Sequence, residues 1–240
     1  MKILLSTLAL SGIILVVLAA IFPFKRPDTT LNKTVMHYIQ EAEKGFNNIP
    51  EERKESLKEL AQFVQKKTQA GEEAQLIFIC THNSRRSHMG QLWANVAAHH
   101  YQIPQVQTYS GGTEATAFNP RAVAALERAG MKIKKISDGE NPRYHITFAS
   151  DVPAQEAFSK KYDDPANPGQ GFAAIMTCSQ ADEACPYVPG AELRLSLPYE
   201  DPKEADGTPQ EANRYDERSQ QIATEMLYCF SQVQPKMQAE

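Results

Sequence analysis

Residues 74–87 read AQLIFICTHNSRRS, an apolar run that stops at a cysteine and gives way to a polar loop. The run is rich in isoleucine, leucine and phenylalanine and predicts a buried strand, and the stretch from Ser87 to His100 predicts a helix. The same grammar repeats downstream. VQTYSGG (106–112) predicts a second strand, and a helix follows with Asn119 as its cap, Pro120 at its first position and Gly130 just past its end. FAAIMTC (172–178) and ELRLSLP (192–198) predict a third and a fourth strand. A last helix is marked by Thr208, Pro209 and Glu211, read as a capping box, and by an apolar stripe of Tyr215, Ile222, Met226, Cys229 and Val233. Strands alternating with helices imply right-handed crossovers. The expected fold is therefore an α/β three-layer sandwich with a four-stranded parallel sheet covered on both faces.

In such a sheet ligands bind outside the carboxyl ends of the strands. Cys80, Ser110 and Cys178 stand at the ends of the first three strands, so three separate pieces of sequence point at one rim. Backbone amides in a tight loop that enters a helix face inward, and the helix N-terminus adds partial positive charge. The loop of Thr81, His82, Asn83, Ser84, Arg85, Arg86 and Ser87 is thus expected to hold a tetrahedral oxyanion. Arg86 can clamp two of its oxygens with a planar fork that lysine lacks. The same field favours a sulfur anion at Cys80, which would act as nucleophile, with Ser87 donating to the sulfur and Asn83 bonding the loop backbone.

CTHNSRRS resembles the C-x5-R-S loop shared by low-molecular-weight protein tyrosine phosphatases and thioredoxin-coupled arsenate reductases. The similarity covers a domain at 75–235, interrupted by an insertion at about 137–171. It implies a general acid in an Asp-Pro pair after the last strand, which LPYEDPKEADGT supplies as Asp201; Asp163 and Asp164 of YDDP fall inside the insertion and read as turn formers. TCSQADEACP resembles the redox segment of the reductases. On that resemblance Cys178 attacks the Cys80 sulfur to expel arsenite, Cys185 then takes over the disulfide, and a thioredoxin-like partner reduces it. Three positions depart from the reductase pattern: His82 stands where glycine is usual, Arg85 where a cysteine is common, and Gln91 where some reductases place an acidic residue for potassium. No bound potassium is expected. The same Cys80, Arg86 and Asp201 would also serve a phosphatase acting on aryl phosphates, or, with a loop blunted at His82, a non-catalytic oxyanion-binding module.

The 240 residues are 42% hydrophobic, enough for one full domain with an appendage. A formal net charge of -4 with scattered lysines gives no footprint for nucleic acid. Four cysteines, Cys80, Cys178, Cys185 and Cys229, are too few for a disulfide scaffold, and no set of side chains has metal-ligand spacing. No cofactor is expected. Residues 34–70 are helical in pattern, broken between Gly45 and Pro50, and predict a helical hairpin or stalk. Residues 3–24 carry no charge and are long enough to span a membrane, which takes about 20 apolar helical residues. Residues 1–26 are read as an anchor, with Lys25, Arg26 and Lys33 giving a slight bias to a cytoplasmic-facing domain. Read instead as a cleaved signal peptide, the same segment would place the domain outside the cytoplasm.

Overall fold

A computed structural model describes residues 30–234. The expected membrane segment lies outside these residues; among them no helix is long and apolar enough to cross a membrane. Two helices come first, α1 (Lys33–Glu43), capped by the Asn32 side chain on the Val35 amide, and α2 (Glu51–Ala70), closed by Gly71 in the left-handed region. Then come β1 (Ala74–Cys80), α3 (Arg86–His100), β2 (Val106–Gly112) and α4 (Pro120–Arg128), the last capped by Asn119 with proline at its start. The chain continues through β3 (Lys132–Lys135), β4 (Tyr144–Thr147), β5 (Gln155–Ala157), β6 (Phe172–Met176), α5 (Ser179–Ala184), β7 (Ala191–Ser196) and α6 (Glu211–Ser231).

The main sheet is parallel throughout, in the order β2-β1-β6-β7. Because strand side chains alternate, its two faces feed two cores. Leu76, Phe78, Ala173, Ile175 and Leu195 join the long helices α1, α2, α3, α4 and α6 in one large cluster. Ile77, Ile79, Ala174 and Met176 join a smaller one with Cys80, Cys178, Ala181 and Val188. The expected cover on both faces is therefore unequal. The connection from β6 to β7 is short and holds only the six-residue α5, so the second face is closed by that helix and by loops carrying Tyr162 and Val188.

Helices α1 and α2 share the large core: Val35, Ile39, Leu57, Leu60 and Val64 are fully buried within it, and both helices pack on α6. Between α4 and β6, in and just before the insertion, the chain forms a second sheet, antiparallel in the order β3-β4-β5. Its strands are three or four residues long and charged, and bury only Tyr144, Ile146 and Ala157, too faint an alternation to read as strands. The capping box resolves differently from expectation. α6 starts at Glu211, and Thr208 and Glu211 instead fasten the turn before it, Thr208 Oγ1 accepting from the Gln210 amide and the Glu211 carboxylate from the Gly207 amide.

Candidate active site

β1 ends at Cys80, and the chain turns through residues 81–85 into α3. Four carbonyls along this turn are drawn outward. Cys80 O accepts from the Thr113 amide, Thr81 O from the Glu114 amide and the Thr113 hydroxyl, His82 O from the hydroxyls of Thr116 and Ser159, and Ser84 O from the Asn119 amide. In a planar trans peptide the carbonyl of one residue and the amide N–H of the next point in opposite directions, so the N–H groups of Thr81, His82, Asn83 and Arg85 are turned to the inside. Among the described residues, the amides of His82, Asn83, Ser84 and Arg85 donate no hydrogen bond. The loop is thus shaped to receive an anion, at the N-terminus of a 15-residue helix. Gly112 makes the close fit possible, since a Cβ there would meet Glu114 O at 2.3 Å and Asn83 N at 2.6 Å.

Asn83, not His82, is the loop residue with positive φ, at 43°. Asparagine tolerates this region well, and the histidine at the usual glycine position is not asked to adopt it. The Asn83 side chain does not bond the loop backbone, as expected, but reaches inward. Its Oδ1 accepts from the Lys160 amide at 2.8 Å, which fixes the orientation of the carboxamide, and its Nδ2 donates to Ser87 Oγ at 2.9 Å. With that lone pair used, the single Ser87 hydroxyl hydrogen is available for Cys80 Sγ, 3.1 Å away. A chain of three bonds thus runs from the insertion to the Cys80 sulfur.

Arg86, 7% exposed, donates NH1 to Tyr199 O at 2.9 Å and NH2 to Asp201 Oδ2 at 2.7 Å. Arg85 lies on the other side of Asp201, at 3.7 Å, and donates Nε to the Tyr215 hydroxyl, which in turn donates to Asp206. Asp201 also caps the short turn at Pro202–Ala205 through the Lys203 amide. A cleft of about 410 Å³ opens over this group. Thr81, Ser84, Arg85, Arg86 and Asp201 form its walls with His82, Lys203 and, from α5, Gln180; none is a phenyl, phenol or indole ring.

Cys178 caps α5, its sulfur accepting from the Ala181 amide at 3.4 Å and lying 3.5 Å from Thr81 Oγ1 at the mouth of the loop. Its neighbour Thr177 bonds Ile79 O through both amide and hydroxyl, so the end of β6 is tied to the end of β1. Cys185 sits at the opposite end of the same helix and is partly exposed. Burial pushes its thiol up from the ordinary value, and Arg194 beside it partly offsets the shift. Ser110 does not reach the cleft: it is buried, 3.2 Å from His88 Nδ1. His88 is buried too, stacked on Phe118 at 3.9 Å, and burial, reinforced by Lys160, holds it neutral with a pKa well below the ordinary value. Asp164 is a turn former, accepting from Ala166 N. Gln91 donates to Thr108 O. Cys229 is a core thiol, its pKa raised by burial. Tyr199, Thr116, Ser159 and Lys160 went unnoticed in the sequence, since a residue that acts through its backbone or a lone hydroxyl leaves no motif.

No protein-family model matches the chain. It is 29% identical over 136 residues, 57% of its own length and 79% of the relative's, to an arsenate reductase of Halalkalibacterium halodurans. It is 28% identical over 158 residues, 65% of this chain and 94% of the relative, to an arsenate reductase of Bacillus licheniformis. Among solved structures, a low molecular weight protein tyrosine phosphatase from T. tengcongensis superimposes with a TM-score of 0.45 at 16% identity, covering 65% of this chain and 97% of that one.

Proposed function

We propose that the chain is a member of the superfamily of arsenate reductases and low-molecular-weight tyrosine phosphatases, in line with its 28–29% identity to arsenate reductases, and that it reduces arsenate to arsenite through Cys80, Cys178 and Cys185 in turn. Arsenate rests on the loop amides and Arg86 while the Cys80 sulfur attacks arsenic. An oxygen leaves as water, protonated by Asp201 acting as general acid. The Cys178 thiolate then attacks the Cys80 sulfur. The S–As bond breaks, its electron pair stays on arsenic, arsenite departs as As(III), and a Cys80–Cys178 disulfide remains. Cys185 attacks Cys178, frees the Cys80 thiolate and leaves a Cys178–Cys185 disulfide nearer the surface. A thioredoxin-like dithiol returns the two electrons.

The observation that carries this reading is the Cys178 sulfur 3.5 Å from Thr81 Oγ1, at the mouth of an anion loop. Hydrolysis of a phosphate ester does not itself need a second thiol there, which a phosphatase would use only as redox protection for Cys80. Among the described residues no aromatic ring lines the cleft for a phenol to stack on, so a small inorganic anion suits it better than an aryl ester. Hydrolysis of a phosphate ester through Cys80, Arg86 and Asp201 is the second reading, favoured by the Ser87 hydroxyl beside Cys80 and by the Arg86–Asp201 pair, neither of which involves Cys178.

The test compares the full chain with Cys178→Ser and Cys185→Ser in an arsenate assay coupled to thioredoxin and in cleavage of p-nitrophenyl phosphate. Arsenate turnover is expected to vanish in both variants while p-nitrophenyl phosphate cleavage survives. Undiminished arsenate turnover in either variant would falsify the relay; a wild type active only on the aryl ester would establish the phosphatase.

A further inference from the structure

Tyr199 lies between the last strand and Asp201 and does two things at once. Its carbonyl accepts from Arg86 NH1 at 2.9 Å, and its ring and hydroxyl point away from the cleft into the protein. There the hydroxyl donates to Glu225 Oε2 of α6 at 2.8 Å. Burial and the Glu225 carboxylate keep that hydroxyl protonated, its pKa well above the ordinary value. Glu225 has a side chain only 5% exposed, so as a carboxylate it needs a cation. The cation comes from the third residue of α2. Arg53 Nε donates to the same Oε2 at 2.8 Å, its guanidinium stacks 4.7 Å from the centre of the Tyr199 ring, and its NH2 donates to Pro198 O at 3.3 Å. Arg53 thereby grips both residues that lead into the Glu200–Asp201 turn. It reaches them because it stands one helical turn before Leu57, on the face that α2 turns to the core.

We infer that Arg53, contributed by the helical region ahead of the first strand, is a positioning residue for the active site: through Glu225, Pro198 and Tyr199 it holds the Arg86 guanidinium and the Asp201 turn in register with the anion loop. The inference rests on the reading of Arg86 as anion clamp and Asp201 as proton donor. It makes the N-terminal helices a working part of the catalytic domain.

Removing Arg53 alone leaves a buried carboxylate without a cation, which costs stability wherever it occurs. The experiment therefore uses the full chain as Arg53→Ala, as Arg53→Lys, and as the double variant Arg53→Ala with Glu225→Gln, in which the stranded charge is gone. The readouts are the melting temperature, the affinity for inorganic phosphate, and kcat and KM for p-nitrophenyl phosphate across pH. The double variant is expected to regain the melting temperature lost in Arg53→Ala. Its kcat should still fall about tenfold to a hundredfold, the cost of a small misplacement of catalytic groups, and its phosphate affinity should be weaker than that of the wild type. Arg53→Lys, which keeps the charge but not the stack and the Pro198 bond, should lie between. A double variant with wild-type kcat and wild-type phosphate affinity overturns the inference, since a merely structural arginine predicts that recovery. If Arg53→Ala does not fold, the double variant decides alone. If the wild type binds phosphate but turns over neither substrate, the functional reading falls, and the phosphate affinity of the double variant still judges Arg53. A wild type that binds no phosphate defeats both.

Discussion

Asp201 holds, at 2.7 Å, the same guanidinium edge on which the substrate anion would rest. The carboxylate and the anion therefore compete for Arg86, and with Arg85 at 3.7 Å the acid side chain lies between two cations. An anion entering the loop must displace one charge-assisted bond, a contribution of about 1.5–3 kcal/mol before solvation is counted. Asp201→Asn weakens that bond and removes the transferable proton. We expect the variant to bind inorganic phosphate several-fold more tightly by calorimetry while its turnover of p-nitrophenyl phosphate drops by about two orders of magnitude, the usual scale for loss of a general acid. Weaker phosphate binding would show that Asp201 helps to hold the anion rather than competing with it. The roles of Cys80, Arg86 and Asp201 could be proposed from sequence because their offsets are set by one loop and one strand end. Tyr199 could not: its contribution to the cleft is a carbonyl, which every residue has.

Helix α5 links the second and third thiols, and its length opposes their union. Cys178 and Cys185 cap its two ends, seven residues apart, so the helical rise separates their Cα atoms by about 10 Å. A disulfide requires less than about 7 Å, so α5 must unwind. Six residues are far below what sustains a helix in isolation, about 12–15. What keeps α5 wound is the cap at Cys178, the buried Ala181, and Arg194 of β7, which donates Nε to Cys185 O at 2.9 Å and NH2 to Asp182 O at 2.7 Å. Arg194→Ala removes these bonds and also raises the Cys185 thiol a little further, two opposing effects on the second exchange. Cys185 is partly exposed, so the charge effect is screened and the release of the helix should win. Single-turnover trapping of disulfides after arsenate addition is expected to show the Cys178–Cys185 bond forming several-fold faster in Arg194→Ala; slower formation would mean that α5 does not limit the step. In both proteins the exchange should accelerate as pH rises through the thiol range, because burial holds back the Cys185 thiolate. Arg194 was hidden in the sequence, since a charged residue inside a strand looks like an exposed face.

At the scale of the molecule, the appended antiparallel sheet and the N-terminal helices are both fastened to the catalytic loop's surroundings. The segment leaving β5 carries Ser159 and Lys160, whose hydroxyl and amide hold His82 O and Asn83 Oδ1, and Asn141 holds Ser159 in place by two bonds. Lys160 is 5% exposed, and burial, with Arg143 adding to it and Asp164 opposing, lowers its pKa from 10.5 to about 8. Between these values the unfolded chain keeps a proton that the folded chain has released, so this group makes stability rise with pH from about 8 to 10.5. Below about pH 8 both states are charged and the full cost remains, on the order of 3 kcal/mol. Urea melts should find Lys160→Met more stable than the wild type at pH 7, with the gap closing by pH 10.5; equal stabilities at both ends would place the ammonium in solvent. Much of the fold was legible, because four strands and the helices among them follow a period and punctuation that backbone geometry imposes. The second sheet was not, since strands of three or four residues such as KIKK bury too little to leave a pattern. Nor were the long-range bonds of Arg53 to Glu225 and of Ser159 to His82, each spanning more than 70 residues. The unwinding demanded of α5 carries one last implication. A reductant that grips the opened segment would ignore every resting molecule and visit only those that have just completed a cycle, so its electrons would be drawn in proportion to arsenate consumed and not to the amount of protein present.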